Sequence, residues 1–242
     1  MNKLSLFLKL FSITTLFTFF ISSHASGQSL GVGIKGGANF TSHLGNFKFV
    51  SGDIDLEFTP KIRSGYNVGV VYRSNISKRY RLQIEPSIIT MGAKYEEAFE
   101  LRGFNFQTES ETELLYVHLP LLFQLSTSPP NRTVYGRQYS NTTYHLTGGV
   151  YGSYLVKAQF SGSNSGTPIG IEFIGNFTND VTEQYLEYDA GIILGAGFEN
   201  GSLNRIGFDA RIMFSVIDSG NSDEFSFDPK NLGAIFSLYF LL

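Results

Sequence analysis

Alternation with period two runs through most of this chain. It is clearest in NRIGFDARIMFSV, where Ile206, Phe208, Ala210, Ile212, Phe214 and Val216 fall on one face and Arg205, Gly207, Asp209, Arg211, Met213 and Ser215 on the other. Successive side chains of a β-strand point to opposite faces, so the pattern reads as a strand with one apolar face. YRLQIEPSII repeats it, with Tyr80, Leu82, Ile84, Pro86 and Ile88 against Arg81, Gln83, Glu85 and Ser87. In EQYLEYDAGIILGAGFE the apolar face is Leu186, Tyr188, Ala190, Ile192, Leu194, Ala196 and Phe198, and the other face carries Glu187, Asp189 and several glycines. The pattern predicts strands near 30–40, 64–74, 80–95, 112–125, 143–159, 184–199, 204–217 and 230–241. The even number fits closure of antiparallel strands into an up-and-down barrel. The predicted fold class is all-β: one antiparallel transmembrane β-barrel of about eight strands, filling a single domain over 28–242.

Alternation by itself does not say which face is outside. A soluble, lipocalin-like barrel has the same period with its apolar face inward. The membrane reading is preferred on three grounds. The polar face mixes both charge signs with glycine, as a narrow lumen would. The strands are long enough to cross a bilayer at a tilt. The last strand reaches the end of the chain and can close against the first. The connections also alternate in length, long near 41–63, 96–111, 160–183 and 218–229, short at 74–78 and 200–204. Long extracellular loops and short periplasmic turns are the pattern of such barrels, which places both termini in the periplasm. The 126–142 connection breaks the rule, being long where a turn is expected.

The N-terminus reads as a targeting segment. Lys3 and Lys9 charge it, LFSITTLFTFFIS is an apolar core too short to span a membrane, and SSHASGQSL is an exit of small residues. Cleavage falls after Ala25 or after Gly27, with 1–27 taken as the signal peptide. Together with the barrel pattern this predicts export to the outer membrane.

Composition narrows the picture further. Charged residues are only 16% of the 242, against roughly a quarter in ordinary soluble domains, while Gly (26), Phe (23) and Tyr (13) are plentiful. Lys plus Arg total 18 and Asp plus Glu 21, so no basic excess points to nucleic acid. The absence of cysteine removes disulfides, thiolate metal sites, a Cys nucleophile and a lipoprotein anchor.

An ordered series of Gly- and aromatic-rich strands, GVGIKGGANF, RLQIEPSIITMGAKY, LLYVHLPLLFQL, GGVYGSYLVKAQF, DAGIILGAGFE, IGFDARIMFSVID and KNLGAIFSLYFLL, resembles the PorT-like outer-membrane β-barrel proteins of the Bacteroidetes. The resemblance covers most of the chain after Gln28. It implies a barrel that is not an enzyme and has no cofactor. The family's named members are linked to type IX secretion and gliding, which implies a secretion-system or surface protein as partner. Outer-membrane lipid and the barrel-assembly machinery complete the expected partners. Two features depart from the pattern: the chain ends FLL where an aromatic residue is usual, with Phe240 two positions early, and the 126–142 connection is long.

The candidate chemistry lies on the polar faces. Alternation places Lys35, Arg73, Arg81, Glu85, His118, Lys157, Glu187, Asp189, Arg205, Asp209 and Arg211 in the lumen. A barrel of this size is just wide enough to be filled by side chains, so such charges must be paired, and a salt-bridged plug is the preferred reading over a pore or a ligand pocket at the mouth. His118 is the one histidine placed within a strand lumen; His145, near a strand start, is left without a face, and His43 falls in a loop. No serine sits in a nucleophile motif. Asp53, Asp55 and Glu57 form an acidic run in the first loop, read as solvated in preference to cation-binding. Gly31, Gly33 and Gly36 fit G-x-G-x-x-G, but no helix opens after them, so the dinucleotide reading is set aside. The long loops hold Phe47, Phe49, Phe58, Phe99, Phe104, Phe106, Phe173 and Phe177, either packed near the membrane or forming a docking surface.

Overall fold

The computed structural model describes residues 30–242 except 46, 52–53, 102–103, 128–132, 135–136, 139–141, 167–172, 202–203 and 221–228. The signal segment and Asp53 lie outside the described residues. The strands are β1 (Leu30–Leu44), β2 (Phe47–Ser51), β3 (Ile54–Phe58), β4 (Pro60–Lys61), β5 (Arg63–Asn75), β6 (Tyr80–Ile84), β7 (Ser87–Leu101), β8 (Phe104–Ser126), β9 (Thr133–Val134), β10 (Arg137–Gln138), β11 (Thr143–Gly166), β12 (Phe173–Asp180), β13 (Tyr188–Asn200), β14 (Arg205–Ser215) and β15 (Lys230–Leu241). Among the described residues, no helix is long and apolar enough to cross a membrane.

The main sheet has 11 strands, and a β11–β8 pairing closes it into a ring. Around the ring the order is β1, β5, β6 with β7, β8, β11, β13, β14, β15 and back to β1, every pairing antiparallel. The strand count exceeds the expected eight for two reasons. One wall position is divided into β6 and β7, and β4 and β12 add to the sheet beyond the barrel wall. The division falls at Glu85–Pro86. Proline has no N–H to give the ladder. Its carbonyl still accepts from Val70 N at 3.0 Å, and Glu85 N donates to Pro120 O at 3.2 Å, so the wall stays closed.

The apolar faces point outward. On β8, Val117, Leu119, Leu121, Phe123 and Leu125 are 43–52% exposed, while the alternate positions Leu114, Tyr116, His118, Leu122 and Gln124 are buried. Ile34, Val68, Ile192, Leu194, Ile212 and Leu238 are exposed on other walls. A soluble barrel would have the reverse arrangement. From Leu115 to Leu125 the outward positions of β8 are all apolar, and Glu113, Glu111 and Glu109 follow. A stretch of that length, at about 3.3 Å per residue and a tilt near 40°, rises roughly 25 Å, the height of a lipid-facing band. Aromatic residues mark its borders: Tyr80 stacks on Phe123 at one end, with ring centroids 5.6 Å apart, and Tyr154 meets Tyr188 edge-on at 5.4 Å at the other.

Past that band the strands continue. β7 and β8 stay paired out to Leu101↔Phe104, and β11 runs to Gly166 against β8 and then β12. Segments expected to be loops, 96–111 and 160–183, are therefore largely strand. Period two is weak there because neither face touches lipid. Side chains of the loop phenylalanines lie outside the described residues except Phe177, which packs on Phe160 with centroids 5.4 Å apart. At the opposite end lie Leu30, Leu241 and the connections after β5, β8 and β13. The long 127–142 connection does leave from this turn end, since Ser126 pairs with His145.

Two expected lumen residues are outside. Lys157 follows a β-bulge between Leu155 and Lys157, which shifts the register by one, so Ala158 takes the buried place and Lys157 is exposed. A one-residue slip moves a side chain to the other face. Glu187 precedes β13, which starts at Tyr188, four residues later than expected; Glu187 and Tyr188 are both exposed. His43 belongs to β1, not to a loop, and is buried.

Candidate functional site: the lumen

The inward faces carry a continuous polar network. Its centre is Glu85, held inward at the β6–β7 break and fully buried. Lys35 Nζ donates to Glu85 Oε2 at 2.6 Å, and Arg211 donates through Nη1 and Nη2 to both carboxylate oxygens at 2.6 and 2.7 Å. Arg211 Nη2 also donates to Asp209 Oδ2 at 2.6 Å, and Asp209 Oδ1 lies 2.6 Å from His145 Nε2. Two-pronged contact between a planar guanidinium and a carboxylate is the strongest such geometry, and burial of these ions demands it.

Gln83 links this group to a second one at the turn end. Its Nε2 donates to Glu85 Oε1, and its Oε1 accepts from Arg73 Nε at 2.7 Å. Arg73, Arg81 and Arg205 each donate through Nη1 to Glu199, at 2.5, 2.7 and 2.6 Å. Tyr239 Oη donates to the same carboxylate at 3.2 Å, and its ring lies under the Arg73 guanidinium at 5.2 Å. Gly207 makes room for that ring, because a Cβ there would collide with it.

Towards the loop end the lumen becomes less charged. His118 Nδ1 and Ser153 Oγ share a hydrogen bond of 2.8 Å. Asp189 accepts from Ser215, from Asn231 Nδ2 at 3.1 Å and from Tyr151 Oη at 3.3 Å. Interleaved with these, Ile89, Met91, Leu114, Tyr116, Ile193, Met213 and Ile235 form an apolar plug. Val181 and Tyr185 join it from the segment around a 3-10 turn at Thr182–Gln184. Asp180 holds that turn, accepting from Thr182 N at 3.0 Å and Thr182 Oγ1 at 2.6 Å, bonds that lower its carboxyl pKa. Burial pushes the Tyr185 phenol up to about 12.

Of the residues assigned to the lumen from alternation, Lys35, Arg73, Arg81, Glu85, His118, Asp189, Asp209 and Arg211 are buried there, and Arg205 sits at its turn-end mouth, 32% exposed. Lys157 and Glu187 are not part of it. Sequence reasoning missed Glu199, the acceptor for three arginines. It shares the parity of Asp189 in DAGIILGAGFE, and that parity was signal enough. His145 faces inward. Asp55 and Glu57 lie in β3, with side chains outside the described residues.

As chemistry, the arrangement is one of ion pairs that fill space. His118 and Ser153 are within reach of each other, but both are buried, and among the described residues no carboxylate hydrogen-bonds to His118. Among the described residues no group of three or more His, Cys, Asp or Glu side chains converges as a metal site. At the turn end a groove of about 650 Å³ runs between Arg79, Leu125, Tyr144 and Leu146.

A closed antiparallel ring with an apolar exterior and a charged, filled interior defines an outer-membrane β-barrel. Residues 23–221 match the family model for the outer membrane protein beta-barrel domain, and the chain belongs to that family. Its place is the outer membrane. Solved structures similar to it include Ail, the attachment invasion locus protein of Yersinia pestis, at 13% identity over 88% of this chain and 98% of that one with a TM-score of 0.32. Neisserial surface protein A is similar at 10% identity, over 88% and 98% of the two chains, with a TM-score of 0.32. No curated protein matches the chain.

Proposed function

We propose that this protein is a non-enzymatic outer-membrane component, structural or accessory to secretion, whose barrel is an anchor and whose extracellular strands meet a partner. The observation that carries the reading is the lumen: Glu85, Lys35, Arg211 and Asp209 pair across it, and the apolar plug around Tyr116 and Tyr185 fills it above. Such an interior supports neither a continuous water path nor access of a substrate to His118. The outward investment is in the sheet of β7, β8, β11 and β12 beyond the lipid band, a surface suited to a secretion-system or surface protein. The likeness to PorT-like proteins of the Bacteroidetes supports the secretion role in particular. On this reading the chain is exported by its signal peptide and inserted by the barrel-assembly machinery. Planar-bilayer recording of the purified protein tests it. No steady ion current is expected, and a reproducible single-channel conductance would replace the anchor by a small pore.

A further inference from the structure

We propose that the periplasmic mouth of the lumen binds a phosphate-type oxyanion on Arg73, Arg81 and Arg205. Three guanidinium groups share the single carboxylate of Glu199, each through one nitrogen. The nearest carboxylates are committed elsewhere, Asp209 to Arg211 and His145 and Glu85 to Lys35 and Arg211. The cluster therefore keeps the charge of two cations uncompensated. Arg73 is 3% exposed, and its Nη2 is buried with no hydrogen-bond partner. A buried ionic donor without an acceptor is costly, and so is excess charge in a low-dielectric lumen.

No acidic side chain of the neighbouring connections supplies the missing anion. The connections at this end, residues 75–79, 127–142 and 201–204, contain Lys78, Arg79, Arg132 and Arg137 and no Asp or Glu. Arg205, whose side chain is 32% exposed at the mouth, is the member of the cluster that meets solvent, while Arg73 and Arg81 are buried. Guanidinium forks match the tetrahedral oxygens of phosphate, which accept several N–H bonds at once. A doubly charged oxyanion would balance the cluster. Two sources carry phosphate oxygens: free inorganic phosphate, which as the dianion balances both cations, and the singly charged phosphodiester of an anionic phospholipid in the inner leaflet, which balances one of them.

The test uses protein extracted from outer membranes in a neutral maltoside detergent, at constant chloride strength. Inorganic phosphate and, separately, dihexanoylphosphatidylglycerol are titrated by calorimetry. Saturable binding of at least one is expected, weakened about tenfold or more in Arg205→Gln, the loss of one charge-assisted contact, and largely kept in Arg205→Lys. Retention of heat-dependent gel mobility shows that each variant is folded. Binding of inorganic phosphate assigns the site to a free oxyanion, and binding of the short-chain lipid alone assigns it to a headgroup. Absence of saturable binding by both in the wild-type protein overturns the proposal, as does binding that Arg205→Gln leaves unchanged.

Discussion

Glu85 shows what a single position carries. It sits where Pro86 interrupts the ladder, and it accepts from Lys35, Arg211 and Gln83 while fully buried. Removing it leaves two cations buried around a void. Breaking a buried ion pair from one side costs about 3–5 kcal/mol, more than the pair itself contributes when intact. Glu85→Ala is expected to lower the urea midpoint by a corresponding amount, followed by circular dichroism because the chain has no tryptophan. An unchanged midpoint would mean that the lumen relaxes around the loss and that the network is not a plug. At this scale the sequence was readable wherever parity held without interruption. Arg81, Glu85, Asp209 and Arg211 were assigned from alternation alone. Lys157 was misplaced because a bulge leaves no mark in a single sequence, and Glu187 because a strand start is set by partners rather than by the residues just before it.

At the scale of an element, β8 divides into two functions along its length. Phe123, Leu121, Leu119 and Val117 face lipid, and Glu113, Glu111 and Glu109 continue the same outward row beyond it. Arg63, from two wall positions away, pairs with Glu111 and Glu113 and marks the border. Leu121→Arg should therefore reduce folding stability in phosphatidylcholine vesicles by about 2–4 kcal/mol, the cost of a cation near the mid-plane. Glu109→Arg, on the same face but past the band, should change it by no more than about 0.5 kcal/mol. Equal effects of the two in urea titrations would place the membrane border elsewhere. The outer half of this strand was hidden from sequence reasoning, because FNFQTESETE lacks the one apolar face on which a strand is recognised. Pairing with β7 and β11, not amphipathicity, makes it a strand.

For the whole molecule, closure is the main source of order. Every wall strand has two neighbours, and Leu242 N still donates to Val32 O at 2.9 Å past the last strand. A ring without edges has no place to begin unravelling, so detergent alone should not open it. Unboiled protein is expected to migrate differently from boiled protein on a dodecyl sulfate gel, and identical mobility would count against a closed barrel. Charge is also sorted along the axis: no acidic residue occurs in the turn-end connections, whereas Glu96, Glu109, Glu111, Glu113, Asp180 and Glu183 lie past the lipid band at the loop end.

The sequence by itself determined the class, the number of wall positions and most of the inward charges, because alternation is a local property that each strand writes into its own residues. It did not determine which charges meet. Lys35 and Glu85 are fifty positions apart, and Glu85 and Arg211 are separated by 126, so their pairing exists only once shear and register are set around the ring. The direction of the apolar faces rests on the tertiary structure in the same way: period two is identical for a soluble barrel and a membrane barrel, and it is the burial of the charged face inside the closed ring, with the apolar face exposed, that shows the charges went inside.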